Sequence, residues 1–286
     1  MAAERSITRQ AFAKINLDLR LLGVRPDGYH ELRTTFQSIA LADTLTFAHA
    51  QGPFRILCDD PACPVDGRNL VWRAAEQIWK AARRRGKPHD VTVRIAKRIP
   101  IEAGLGGGSS DAAAAIQALA ALWGVKLSRD RRRRIAADIG ADVPYFFEGG
   151  TALGEGRGDR LVPLPDITPA WVVVTVPGFG VSTKEAFGWW DDAQVRQVGR
   201  AGLDGHVNDL QLAVAGRHPI INKLVAALKR EGAFRASLSG SGSAVFGLFR
   251  RKVDAERASV ALAGRRRRVL LTRTIDRPTY RRLAAK

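Results

Sequence analysis

From Phe12 onward the chain alternates: Ile15, Leu17, Leu19 and Leu21 share one parity, and Lys14, Asn16 and Asp18 share the other. A period of two predicts a half-buried strand whose polar row turns outward. A turn at Arg25-Pro-Asp-Gly28 follows, and Phe36–Ile39 and Asp43–Phe47 read as two further strands. Between Asn69 and Ala82 the period changes. Leu70, Val71, Ala74, Ala75, Ile78 and Trp79 fall on one helical stripe, which Gly86 and Pro88 end. Val91–Ile95 alternates again, an alanine-rich helix is expected from Ser109 to Trp123, and Ser128 is placed to cap a helix that Gly140 stops.

Glycines from Gly149 to Gly158 and prolines from Pro163 to Pro169 mark a bend and a linker, so two domains are expected, residues 1–160 and 161–286. In the second, Trp171–Val176 reads as a buried strand and Pro219–Glu231 as an amphipathic helix. Ala236–Leu238 and Ala244–Phe249 read as strands joined through Ser239–Ser243, followed by a helix over Val253–Ala263 and a last strand over Val269–Ile275. Strand, helix, hairpin, helix, strand is an α+β order with the helices on one face.

Composition narrows the function classes. With 286 residues and 45% hydrophobic content the chain can bury a large core, which excludes disorder and small disulfide scaffolds. It contains no apolar run of membrane-spanning length and starts without an apolar leader, so a cytoplasmic protein with no membrane partner is expected. Cys58 and Cys63 flank a proline-containing acidic loop that suits neither zinc nor redox chemistry. The net charge of +18 raises the possibility of a nucleic-acid partner, but residues 265–286 hold nine basic groups and one acidic. The arginine clusters at 83–85, 131–134 and 265–268 lack interleaved aromatics, so solvated helix faces are the expectation and RNA binding the alternative.

One segment carries a chemical signal. Pro100-Ile101-Glu102-Ala103-Gly104-Leu105-Gly106-Gly107-Gly108-Ser109-Ser110 lies between a strand and a helix. Glycines let backbone N–H groups close on an anion, and the helix start favours negative charge. No Lys-Ser/Thr follows, so this is not a Walker A loop. The bland alternative is a flexible turn capped by Ser109. Lys14 is a functional candidate or a solvated strand lysine; Asp142, in Gly140-Ala-Asp-Val-Pro144, is a candidate or a helix N-cap. Tyr29 and His30 could stack on and hydrogen-bond a base, or close a turn.

Together these segments resemble the GHMP small-molecule kinases, along residues 7–275. Ala13-Lys-Ile-Asn-Leu17, Arg25-Pro-Asp-Gly-Tyr-His30, Gly104-Leu-Gly-Gly-Gly-Ser-Ser110 and Gly140-Ala-Asp-Val-Pro144 are similar to members whose acceptor is 4-diphosphocytidyl-2-C-methyl-D-erythritol. The resemblance implies a two-domain α+β fold, with an N-terminal domain like domain 2 of ribosomal protein S5 and a ferredoxin-like C-terminal domain. It implies transfer of the ATP γ-phosphoryl group to an alcohol, with Mg²⁺ held by residues left unspecified. It also implies roles. Asp142 is the base and Lys14 its partner; the 100–110 loop and Asn69 bind ATP, with Ser110 near Mg²⁺; Asn16, Tyr29, His30, Thr183 and Phe187 bind the acceptor. Mevalonate- or homoserine-type kinases are the alternatives within the family, and oligomeric state is left open.

Overall fold

The computed structural model describes residues 6–196 and 207–285. Two long strands, β1 (Ser6–Val24) and β2 (His30–Pro53), form an antiparallel hairpin at the centre of the first body. The two strands expected within 36–47 are thus one. The opposite edge of β2 is shared by β4 (His89–Ala96), on Thr44–Pro53, and β5 (Thr151–Gly156), on Leu32–Gln37. β3 (Arg55–Cys58) runs parallel to β4, and β6 (Arg160–Pro163) completes the sheet beside β5. The glycine-rich stretch expected as a bend is therefore partly strand. Gly154 permits this, because a Cβ there would lie 2.6 Å from the Phe36 ring.

Helices α1 (Leu70–Ala81), α2 (Gly107–Leu122) and α3 (Arg129–Ile139) form a layer in which α2 packs on the sheet and α3 against the other two helices. Asn69 caps α1 by accepting from the Val71 N–H, and Ser128 caps α3 through the Arg131 N–H. α2 starts two residues before the expected Ser109 and is buried on most of its surface. Its alanines let it lie close to sheet and neighbours alike.

The second body is an antiparallel sheet of β7 (Trp171–Pro177), β8 (Arg235–Leu238), β9 (Val245–Phe249) and β10 (Arg267–Arg273), in spatial order β10-β7-β9-β8. Counted within this sheet the order is 4-1-3-2. Helices α4 (Thr183–Arg196), α5 (Leu210–Arg217) and α6 (Ile220–Arg230) lie between its first and second strands, and α7 (Lys252–Ala261) between its third and fourth. That is the expected ferredoxin-like arrangement; α4 and α5 had no counterpart among the sequence expectations. Val173, Val245 and Phe249 face these helices. Val172, Val174 and Val176 face the other way, onto Ala13, Ile15 and Leu17 of β1. Burial on both faces explains the unbroken valine run of β7.

The apolar row of β1 thus packs in the seam between the bodies rather than within one of them. Burying side chains such as Ile15 and Leu17 there contributes roughly 1.5–3 kcal/mol each. The division expected at 160/161 falls at β6, which pairs with β5 of the first sheet. The last helix, α8 (Arg277–Ala284), returns to the first body, where Tyr280 joins its core. Among the described residues no helix is long and apolar enough to cross a membrane.

Candidate active site

A cleft of about 570 Å³ opens between the bodies, lined by β1, β2, the 100–109 loop, Asp142, Gly158, Thr183, Phe187 and Gly240. Lys14 is 3% exposed, so it is not a solvated strand lysine. Its Nζ donates to Asn16 Oδ1 at 2.7 Å and to the Gly104 carbonyl at 2.9 Å, and lies 3.3 Å from Asp142 Oδ2. Two hydrogen bonds and one ion pair hold the ammonium in place. Asn16 Nδ2 in turn donates to Thr34 Oγ1.

Strand parity places Lys14 and Asn16 on the cleft face but fails for Asp18. A β-bulge between Asn16 and Asp18 pairs Asp18 with Thr35, whose N–H and hydroxyl donate to its carboxylate. Leu19 takes the cleft face instead. Asp142 precedes a short 3₁₀ helix (Val143–Phe147), yet its side chain makes no capping bond. Pro144 sits in the first turn, and the carboxylate is directed to Lys14.

The glycine loop is shaped by close approach. A Cβ on Gly106 would lie 2.8 Å from the Phe146 ring and 3.1 Å from Lys14 carbons, and one on Gly107 2.9 Å from Ile99. Gly106, at φ +71°, opens α2, leaving the first N–H groups of a 16-residue helix directed at the cleft. This is an anion cradle that side chains would fill. Ser109 lines the cleft, whereas Ser110 is buried beneath it and its hydroxyl has no hydrogen-bond partner among the described residues. Pro100, Ile101, Glu102, Ala103 and Leu105 complete the loop wall. Asn69 lines the same end, but its amide is committed. Oδ1 caps α1 and Nδ2 donates to the Pro64 carbonyl at 2.6 Å, so it shapes the wall through backbone contacts.

Neither His30 nor Tyr29 lines the cleft; they lie beyond its other end, where His30 Nε2 is 2.7 Å from Asp191 Oδ1 and its ring is 4.7 Å from the lining Phe187 and edge-on to Trp190 at 5.5 Å. Tyr29 is exposed, under the Arg157 guanidinium at 5.1 Å. Thr183 Oγ1 is 3.4 Å from Ser241 Oγ. Tyr29 and His30, at the turn into β2, thus come from the first body and Phe187, in α4, from the second.

A buried triad had no place among the sequence expectations. Lys97 Nζ bonds Asp43 Oδ2 at 2.5 Å and Asp111 Oδ2 at 2.8 Å, and Lys97 and Asp111 line the cleft floor. Asp43 sits where β2 is free between β4 and β5, and its second oxygen accepts from the Arg98 and Ile99 N–H groups. Burial would lower the Lys97 pKa, but the two carboxylates outweigh it and hold it above the ordinary value. Burial pushes the Asp111 carboxyl up to about 7 against the pull of Lys97. Only the position of Lys97 just before the glycine loop and of Asp111 just after it hinted at this pairing. Among the described residues no group of three or more His, Cys, Asp or Glu could hold a metal.

Comparison with known proteins agrees with this architecture. Residues 69–150 match the GHMP kinases N terminal domain and residues 193–266 the GHMP kinases C terminal domain. The 4-diphosphocytidyl-2-C-methyl-D-erythritol kinase of Moorella thermoacetica is 38% identical over 286 residues, covering 94% of this chain and 99% of the relative. That of Solibacter usitatus is 41% identical over 278 residues, covering 87% and 83%. A crystal structure of 4-(cytidine 5'-diphospho)-2C-methyl-D-erythritol kinase superposes with a TM-score of 0.74 at 34% identity, covering 94% of this chain and all of that one. A homoserine kinase from Cytophaga hutchinsonii, at 19% identity and a TM-score of 0.67, shares the fold. Identity at this level over nearly the whole chain, together with the two-body fold, shows that the chain belongs to the 4-diphosphocytidyl-2-C-methyl-D-erythritol kinase family of GHMP kinases.

Proposed function

We propose that this chain transfers the ATP γ-phosphoryl group to the 2-hydroxyl of 4-diphosphocytidyl-2-C-methyl-D-erythritol, on the non-mevalonate route to isopentenyl diphosphate, with Asp142 as base. The observation that carries the residue roles is the Lys14–Asp142 pair at 3.3 Å, in one cleft with the open N-terminus of α2. Phosphoryl transfer needs alignment and charge stabilisation more than covalent help. The acceptor hydroxyl oxygen bonds to the γ-phosphorus as the bond to the β,γ-bridging oxygen breaks. The hydroxyl proton passes to Asp142, and ADP leaves. Lys14, already fixed by Asn16 and Gly104, offers a preorganised positive charge to the reacting oxygens.

The cradle of Gly106, Gly107 and Gly108 would hold the ATP phosphates through backbone N–H groups. Mg²⁺ would bind mainly through those phosphates, with the Ser109 and Ser110 hydroxyls as the loop's own oxygen ligands near the helix start. His30, Phe187 and Tyr29 would hold the cytosine, and Asn16 and Thr183 the polar part of the acceptor. Binding energy from a remote base then positions the reacting hydroxyl.

A coupled assay of ADP release tests this with the cytidylyl acceptor, mevalonate and homoserine in parallel. Turnover is expected with the first alone. ADP release with mevalonate or homoserine but not with the cytidylyl compound would overturn the substrate assignment.

A further inference from the structure

We infer that Arg157 is the cation that receives the diphosphate bridge of the acceptor, a role that rests on the acceptor assignment above. Among the described residues that line the cleft, Lys14, Arg68, Lys97 and Arg157 carry positive charge. The first three are committed or misplaced for this task. Lys14 bonds Asn16 and Gly104, pairs with Asp142 and is assigned to the reacting end. Lys97 is buried between Asp43 and Asp111. Arg68 is bound to Asp66 in the loop before α1, on the wall formed by Pro64 and Asn69.

Arg157 stands in the right place. Its guanidinium lies over the Tyr29 ring at 5.1 Å, at the end assigned to the base. The next residue, Gly158, borders the reacting end. A Cβ there would lie 3.7 Å from Phe36 and 4.0 Å from Asp142 Oδ1. A molecule with its base at Tyr29 and its hydroxyl at Asp142 must thread its diphosphate past residue 157.

The side chain is also presented for such a contact. Nε and Nη2 both donate to Asp159 Oδ2, at 3.2 and 2.7 Å, which anchors the fork. Nη1 makes no hydrogen bond among the described residues. Arg157 sits in the tight turn between β5 and β6, closed by the Gly158 N–H bond to the Glu155 carbonyl at 3.0 Å, so the guanidinium projects from a rigid hairpin. The carboxylates near it are Asp159 and Asp27, the second held by the Tyr29 N–H and Arg25. A planar cation anchored on one side is suited to charge-assisted bonds with a phosphate on the other.

The test is competitive inhibition of the full-length enzyme by CDP and by cytidine, measured against the acceptor in wild type, Arg157→Ala and Arg157→Lys, with melting temperatures to verify folding. For Arg157→Ala the CDP inhibition constant is expected to rise by about 10-fold or more, as is KM for the acceptor, because a charge-assisted contact is lost. The cytidine constant and KM for ATP stay within about 2-fold, because only the diphosphate is addressed. Arg157→Lys, which keeps the charge and loses the fork, falls between. Equal loss for CDP and cytidine would overturn the inference, since Arg157 would then act by supporting Tyr29. Unchanged CDP inhibition would overturn it too. If neither compound inhibits wild type, the acceptor-site assignment itself fails, whatever Arg157 does.

Discussion

Replacing Gly104 with alanine probes the seam between the two bodies with a single methyl group. Gly104 has φ +72°, and a Cβ would lie 2.0 Å from the Ser239 carbonyl oxygen and 2.9 Å from the Gly242 nitrogen. Both are backbone atoms, so no side-chain rotation relieves the overlap, and the 239–243 loop must retreat. A left-handed conformation in a residue with a Cβ costs about 1–2 kcal/mol. Retreat also breaks the bonds from Ser239 Oγ to the Gly104 carbonyl at 3.0 Å and from the Ala244 N–H to the Ala103 carbonyl at 3.1 Å. At about 1 kcal/mol each, the total is about 3–4 kcal/mol. A melting-temperature drop of roughly 6–16 °C follows, at about 2–4 °C per kcal/mol. Gly108→Ala is the control. Its Cβ would meet Leu70 at an ordinary 3.8 Å inside α2, where alanine is favoured over glycine by up to about 1 kcal/mol. Thermal denaturation reads both variants, and kcat with KM for ATP is followed for Gly104→Ala alone, since Gly108 belongs to the proposed phosphate cradle. Gly104→Ala is expected to lose activity as well, because the Gly104 carbonyl holds Lys14. If Gly104→Ala melts within about 2 °C of wild type, the seam is not a rigid contact and the reasoning is refuted.

Asp142→Asn is expected to lower kcat by about 10²–10⁴-fold, with little change in melting because the side chain is a third exposed; near-normal turnover would remove Asp142 as base. Phe187→Ala and His30→Ala should raise KM for the acceptor, by the equivalent of about 1–3 kcal/mol for a lost stacking partner, and leave KM for ATP unchanged. Asp111 gives a pH signature. Its folded pKa of about 7 is raised by burial, so between the ordinary aspartate value and about 7 the folded state keeps a proton the unfolded state has lost. Wild type therefore loses stability relative to Asp111→Asn as pH rises through that window, and the reverse trend in paired melting curves would show a carboxylate stabilised ionised by Lys97. Burial alone would raise the Glu148 carboxyl, but Arg133 and Arg129 hold it below the usual range. Its contribution is present above the ordinary glutamate value and lost as pH falls through the folded value, so the deficit of Glu148→Gln should shrink in acid.

Alternation placed Lys14 and Asn16 on the row that faces the cleft, because both precede the bulge that reverses the strand's faces at Asp18, while their roles came from the family resemblance. Glycine spacing located the loop, although only the structure shows why each position lacks a side chain, since the atoms in the way come from Ile99, Phe146 and Ser239. The seam was not legible. Ile15, Ile99, Val172 and Phe246 lie far apart in sequence, and each reads as ordinary core of its own element. Asp142 carries the local signature of a helix cap, and what releases it from that role is a lysine 128 positions earlier in the chain. The Arg-rich end read as surface composition, yet Arg281 pairs with the buried Glu148 alongside Arg129 and Arg133.

That returning helix has a consequence for how the enzyme is made. Tyr280 donates to the Phe146 carbonyl at 2.7 Å and lies against Gly149, so it braces the segment that begins at Asp142. Domains fold as units during synthesis, N-terminal first. Here the segment that begins at Asp142 lacks this brace until Tyr280 has left the ribosome. A polypeptide stalled or cleaved between β10 and α8 holds both sheets and the glycine loop but lacks that brace. Assembly of the Asp142 segment is thereby tied to the arrival of α8.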